Sequence, residues 1–303
     1  MGFSVTVLGS NSALPTSERN PTAQVLEASG RFFLIDCGEG TQMQLRRNRV
    51  HFGRINHIFI SHLHGDHVFG LPGLISTFGL LGRTKDLHIY AISDLEKLLT
   101  PLIDYFNRDL PFKVVYHPFI AERDELIYQD NLLEIKTIPL KHRVPTVGFL
   151  FREKCKLRKI NKQACDFYDV PVKWLHRIKE GEDFVSENGT VIENMKLTLN
   201  PPPSVSYAFC TDTRVHDGLI RAVEGVDMLY HEATFLKDQT ELAVRTFHST
   251  AEQAARVANE ANVGKLLLGH FSSRYRDLTP FLDEARDIFP NSFLAREGDS
   301  FDV

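Results

Sequence analysis

A chain of 303 residues with 43% hydrophobic and 24% charged residues has the apolar content to bury a large core. Its longest apolar runs, such as LLLG at 266–269, are strand-sized, which excludes a bilayer-spanning helix of about 20 residues. The formal charge of −4 argues against a general polyanion binder, although residues 152–179 hold nine Lys/Arg against three acids, so positive charge is concentrated there.

In chain order, Phe3, Val5 and Val7 alternate as one face of a strand, and Gly9 opens a turn-rich loop, SNSALPTSERNPT. A second strand at about 22–28 pairs with RFFLID at 31–36 across Ser29-Gly30. INHIFIS at 55–61 is a short apolar strand that runs straight into a polar loop. LHIYAI, FKVVYH, LLEIKTIPL and VGFLF continue the strand-rich pattern. Helical periodicity is predicted at 42–48, 94–106, 216–223, 250–262 and 278–288. A second α/β half begins near 204 with VSYAFCTD. Residues 152–203 differ: they are charged, lack a sustained core pattern and end in NPPPS, as an inserted arm would. The expectation is one domain over 1–303 with a protruding arm at about 152–203.

The N-terminus, MGFSVTVLGS, has neither the basic nor the apolar region of a signal peptide, and the four cysteines show no CxxC spacing. Both point to the cytoplasm. The strongest chemical signal is Ser61-His62-Leu63-His64-Gly65-Asp66-His67. Zinc favours His nitrogen and Asp oxygen converging at about 2 Å. His62 and His64 suit one metal, and Asp66 with His67 can turn towards a second. Four ligands in one loop cannot close two sites, so distant ligands are required. His142, Asp212 and His270 each follow a strand-like run directly and are the candidates.

These motifs resemble the metallo-β-lactamase superfamily. With GSNSALPTSERNPT, LIDCGEGTQMQL, FISHLHGDHVFGLPGLIST, HEAT at 231–234, HST at 248–250 and GHFSSRY at 269–275, the chain resembles the short form of the ribonuclease Z family. The resemblance implies an α/β fold, a four-layer αβ/βα sandwich with an inserted basic arm, and two Zn2+ per subunit, Mn2+ being the other ion such ligands accept. It implies one metal on His62, His64 and His142, a second on Asp66, His67 and His270, Asp212 bridging, and Asp36 as a supporting residue. The implied activity is removal of the 3′ trailer from precursor tRNA, leaving a tRNA 3′-hydroxyl. Asp66 would act on the nucleophilic water, and His248, held by Glu232, would protonate the leaving oxygen. Homodimerisation is also implied.

Arg19, and Arg274 beside His270, suit contacts to RNA phosphates. So do Lys156, Arg158 and Lys159 in the arm, where Trp174, Tyr168 and Phe167 would stack or anchor the tip. The arm carries Asp169-Val170-Pro171-Val172 where the family usually has a Gly-Pro pair. The alternatives are a metal-dependent phosphodiesterase acting on small or non-tRNA diesters, and an RNA-binding protein without catalysis. The complete set of seven ligands speaks against the second.

Overall fold

The computed structural model describes residues 2–303. The chain divides into two compact units, one formed by the residues up to Arg152 with Val205–Val303, the other by Glu153–Ser204.

The larger unit is built on two seven-stranded sheets. Across the first, the strands run Ser300–Asp302, Phe3–Gly9, Ala23–Ala28, Arg31–Ile35, Ile55–Phe59, Leu87–Ala91, Val114–Pro118. Across the second they run Ser292–Leu294, Lys265–Gly269, Met228–Glu232, Ser206–Cys210, Val147–Glu153, Leu133–Pro139, Leu126–Gln129. The predicted hairpin is present, with Ala28 opposite Arg31 and both turn residues, Ser29 and Gly30, at positive φ (50° and 81°) as a type I′ turn requires.

Alternation sends Phe3, Val5, Phe33 and Phe59 to the face that meets Phe149, Phe151, Phe209 and Tyr230 of the second sheet. Leu34, Ile58 and Ile89 point the other way and pack on helices Thr41–Arg47, Leu71–Leu80 and Asp94–Phe106. Behind the second sheet, Ala208, Leu229 and Leu268 pack on helices Asp217–Ala222, Ala251–Glu260 and Thr279–Arg286. Two sheets with helices on their outer faces make a four-layer sandwich.

In each sheet four adjacent strands are parallel, from Arg31–Ile35 to Val114–Pro118 and from Ser206–Cys210 to Ser292–Leu294. Parallel neighbours bring their C-terminal ends to one edge, where side chains from distant sequence positions converge. The helix Leu71–Leu80 is absent from the sequence expectations. Its residues are apolar nearly all round and include Pro72, Gly73 and Gly79, so no amphipathic period marks it.

The Glu153–Ser204 unit, whose sequence shows no sustained core pattern, has a core of its own: Cys165, Ile178, Phe184, Ile192 and Leu197 are buried together. Two short ladders hold it, Lys159–Ile160 with Thr198–Leu199 and Phe184–Val185 with Val191–Ile192. Trp174 packs edge-on against Phe184 at 5.3 Å and lies 4.3 Å beneath the Arg177 guanidinium, while Phe167 is exposed. Asp169 adopts φ 49° just past the helix Lys162–Phe167. It takes the left-handed stop that glycine usually supplies, and Val170 N–H donates back to the Cys165 carbonyl at 2.9 Å.

Candidate metal centre

The candidate residues sit where strands end. Asp36 follows Arg31–Ile35, His62 to His67 follow Ile55–Phe59, His142 follows Leu133–Pro139, Asp212 follows Ser206–Cys210, and His270 follows Lys265–Gly269. Asp36, Asp212 and His270 have φ of 56°, 45° and 58°. A left-handed non-glycine residue costs of order 1–3 kcal/mol, so surrounding contacts must hold each of these turns in place. One such contact is tight: a Cβ at Gly38 would lie 2.5 Å from the Asp66 carbonyl oxygen, so the loop after Asp36 reaches the His-rich loop only with glycine there.

The donor atoms of His62, His64, His142 and Asp212 lie within 4.8 Å of one another, and those of Asp66, His67 and His270 form a second such group. His64 presents Nδ1, 3.0 Å from His62 Nε2 and 3.4 Å from His142 Nε2. Asp212 lies between the groups. Its Oδ2 is 3.7 Å from both His62 Nε2 and His142 Nε2, and its Oδ1 is 3.3 Å from His67 Nε2 and 3.1 Å from His270 Nε2. All seven predicted ligands are thus brought together.

The imidazoles are oriented from behind. His67 Nδ1 meets Asp36 Oδ2 at 2.7 Å, and Asp36 itself accepts from the Ser61 N–H at 2.8 Å and the Ser61 hydroxyl at 2.9 Å. His142 Nδ1 faces the Phe247 carbonyl at 3.2 Å, and His270 Nδ1 faces the Thr234 hydroxyl at 3.0 Å. Such partners fix ring orientation and aim the opposite nitrogen inward. His67 Nε2 and His270 Nε2 are buried and make no hydrogen bond. Buried donor atoms without partners, facing two carboxylates, fit a divalent cation.

Charge has the same sense. Burial opposes ionisation of Asp66, but the neighbouring imidazoles of His67 and His270 hold its carboxyl well below the ordinary range. Burial likewise opposes Asp212, which His270, His67 and His62 keep ionised. The edge therefore carries buried negative charge that asks for cations. The Ala13 N–H, in a left-handed turn at φ 48°, donates to Asp66 Oδ2 at 2.8 Å.

Glu232, fully buried, gathers five hydrogen bonds: from His248 Nδ1 at 2.8 Å, the N–H groups of Thr213 (2.7 Å), Ser249 (3.1 Å) and Thr234 (3.3 Å), and the Thr234 hydroxyl (2.6 Å). Burial disfavours a charged His248, yet Glu232 pushes its imidazole up to about 9. Thr250, two residues on, caps the helix Ala251–Glu260 in a reciprocal box with Gln253, which fixes the segment bearing His248.

The cluster opens into a cavity of about 400 Å³ whose walls include Ala13, His64, Arg143, His248 and Arg274. Arg274 is exposed over the Phe235 ring at 5.5 Å. Arg19, expected to contact RNA phosphate, has protein acceptors in the structure. Its Nε donates to Asn11 Oδ1 at 2.9 Å and its Nη2 to the Tyr275 carbonyl at 2.7 Å and the Ser272 carbonyl at 3.3 Å, tying two loops together. In the other unit, Lys156 pairs with Glu153 at 2.7 Å, Arg158 Nε donates to Thr198 Oγ1 at 2.6 Å, and Lys159 is exposed. Ser61 opened the His-rich motif but was given no role of its own from sequence, and neither Thr234 nor the Ala13 N–H was singled out. Thr234 lay within the HEAT motif, whereas a backbone N–H carries no sequence signal.

Residues 3–154, half of the chain, match the family model described as Anti-Pycsar protein Apyc1. The ribonuclease Z of Bacteroides fragilis is 50% identical over 295 residues, covering 97% of each chain. The crystal structure of human tRNase Z, short form, superposes with a TM-score of 0.71 at 27% identity, covering 99% of each chain. The metallo-β-lactamase fold protein YhfI of Bacillus subtilis, at 18% identity and TM-score 0.70, shares the fold over the full length of both chains.

Proposed function

The chain belongs to the ribonuclease Z family, and on that premise we propose that it is a zinc-dependent endoribonuclease that removes the 3′ trailer from precursor tRNA. The observation that carries the reading is the Glu232–His248 pair at 2.8 Å, set against the rim of a seven-residue His/Asp cluster.

Two Zn2+ per subunit would be held by His62, His64 and His142 and by Asp66, His67 and His270, with Asp212 shared. When bound, they supply Lewis-acid charge that makes hydroxide available near neutral pH and offsets charge on the phosphoryl oxygens. The protein's own groups do the rest. Asp66, oriented by the Ala13 N–H, receives the proton of the attacking water. Hydroxide oxygen bonds to phosphorus and the P–O3′ bond breaks. His248 gives its proton to the departing O3′, leaving a 3′-hydroxyl on the tRNA and a 5′-phosphate on the trailer. Glu232 keeps His248 protonated and aimed into the cavity. Arg274 contacts phosphate at the mouth, and Lys156, Arg158 and Lys159, in the basic run 152–179, contact the tRNA body.

The subunits pair as a homodimer. Leu80 is 89% exposed and Phe106 69%, and both line one groove beside helix Asp94–Phe106, an apolar surface that a lone chain leaves wet. The four cysteines are free thiols, in keeping with a cytoplasmic setting, and no helix among the described residues is long and apolar enough to cross a membrane.

A precursor tRNA with a short 3′ trailer, incubated with and without chelator beside an Asp66→Ala variant, tests the reading. A single chelator-sensitive cut at the acceptor stem, absent from the variant, is expected. An intact precursor beside turnover of a small diester would move the assignment to a phosphodiesterase of other substrates.

A further inference from the structure

Besides the groups already placed, one flank of the cavity carries positive charge to which no role has been given. Lys141 and Arg143 bracket His142, and Arg214 follows Asp212 by two residues. All three side chains are exposed, and among the described residues none forms an ion pair. Arg143 lines the cavity, and Lys141 and Arg214 stand on the two loops beside it; in a chain of net charge −4, three cations without ion pairs grouped there are an uncompensated positive field.

They are not loosely hung. Arg214 N–H donates to the Lys141 carbonyl at 3.1 Å, and Lys141 N–H to Thr213 Oγ1 at 3.1 Å, which joins the two loops. Arg143 Nη2 donates to the Arg245 carbonyl at 3.2 Å, and the Arg214 guanidinium lies 5.0 Å over the Phe247 ring. The segment just before His248 is thereby fastened to the same frame. Asp217 acts on the same imidazole, His216, as Lys141 and Arg214 do, and Asp212 lies 3.7 Å from His142. An arc of cations fixed through main-chain atoms, with guanidinium N–H groups still free to donate, suits the repeating charge of a phosphodiester backbone.

We propose that Lys141, Arg143 and Arg214 form a track for the acceptor-strand phosphates on the 5′ side of the cleaved bond. This rests on the ribonuclease Z reading and goes beyond it by naming the strand. The reason is chemical. The leaving O3′ belongs to the mature tRNA, and the group placed to protonate it, His248, stands on this flank, its ring 5.1 Å from that of His142. The nucleotides joined to that oxygen therefore leave the cavity over the arc, and the trailer leaves elsewhere.

The test measures binding of the two reaction products, which cannot be cut further at this bond: mature tRNA ending in a 3′-hydroxyl, and a trailer oligonucleotide with a 5′-phosphate. Wild type, Lys141→Ala/Arg143→Ala, Arg143→Lys and the remote charge control Lys97→Ala are titrated across a salt series. The double variant should bind mature tRNA roughly tenfold more weakly, with its log–log salt slope smaller by about 0.7–0.9 per cation removed. Arg143→Lys should retain most of the slope, since the charge remains, and Lys97→Ala should follow wild type. An unchanged slope and affinity for mature tRNA, or a loss confined to the trailer, overturns the proposal. Binding of an acidic peptide in preference to either RNA overturns it as well. Wild type that neither binds tRNA nor trims a precursor brings down the proposed tRNA-processing activity and this proposal together. Wild type that trims normally while the double variant binds mature tRNA normally brings down the arc alone.

Discussion

His67 and Lys159 illustrate two ways of carrying a functional group. His67 is fully buried at the strand-end edge of the sandwich, leaning on Asp36, which is itself held by Ser61. Lys159, in the Glu153–Ser204 unit, is exposed and makes no side-chain hydrogen bond or ion pair among the described residues. At the edge, each side chain is determined by a neighbour that is determined in turn, and three of the turns sit in left-handed backbone. In the smaller unit the fold is held by its own five-residue core, and the cations ride on it. Damage at the edge should therefore be abrupt and local in cause, whereas damage among the cations should be graded and depend on salt.

The sharpest test is Asp212→Ala, which removes the carboxylate shared by both donor groups. Activity on precursor tRNA should fall by roughly 10³-fold or more, and metal bound per subunit, measured by elemental analysis after dialysis, should drop with it. Metal content unchanged from wild type would break the claim that Asp212 joins the groups. Next comes His248→Ala, expected to lose about 10²–10⁴-fold in kcat while metal content stays at the wild-type level. Loss of metal there would mean that His248 acts as a ligand. Asp36→Asn keeps the shape but weakens the carboxylate behind His67. A loss of about 10–100-fold in metal affinity is expected from competition with a chromogenic chelator.

Much of the edge was legible in sequence, for a physical reason. Zinc draws its ligands from few residue types, His and Asp among them, and strands of one direction end at one edge, so an apolar run closed by His142, Asp212 or His270 is a readable sign. The helices with a clear apolar stripe, such as Asp94–Phe106 and Ala251–Glu260, were found within a residue or two of their predicted bounds. What escaped depends on partners far along the chain or on backbone atoms. The acceptors of Arg19, the Ser272 and Tyr275 carbonyls, lie some 250 residues away, so nothing in the sequence signals that this guanidinium ties two loops together. The core of the smaller unit escaped because its five residues are spread from Cys165 to Leu197 without a regular period.

Graded behaviour should appear when Lys156, Arg158 and Lys159 are replaced together by alanine. KM for precursor tRNA should rise, and the log–log salt slope of binding should fall by about 0.7–0.9 for each phosphate no longer neutralised. Arg158 and Lys156 have protein partners in Thr198 and Glu153, so the single substitution Lys159→Ala isolates charge from structure. If the triple variant instead lost its metals, the separation between edge and cations would collapse.

The smallest expected effect comes from an imidazole inside the sandwich that lacks the support given to His67. His57 is largely buried, edge-on to Tyr128 at 4.9 Å and stacked on His88 at 5.1 Å, and forms no ion pair among the described residues. Burial, with His88 and His117 nearby, pushes its pKa down to about 4. An unfolded histidine titrates near 6.5, so between those values the unfolded chain binds more protons, and stability must rise with pH there. The contribution is fully present above about 6.5 and is lost as pH falls towards 4, amounting to roughly 1–3 kcal/mol across the window. His57→Phe keeps an aromatic ring against Phe33 and Tyr128 without a group to protonate. Urea unfolding of the variant at pH 5 and pH 7 should therefore show a smaller difference than wild type. An equal difference would mean that acid sensitivity arises elsewhere, with the buried carboxylates and imidazoles of the metal edge as the next place to look.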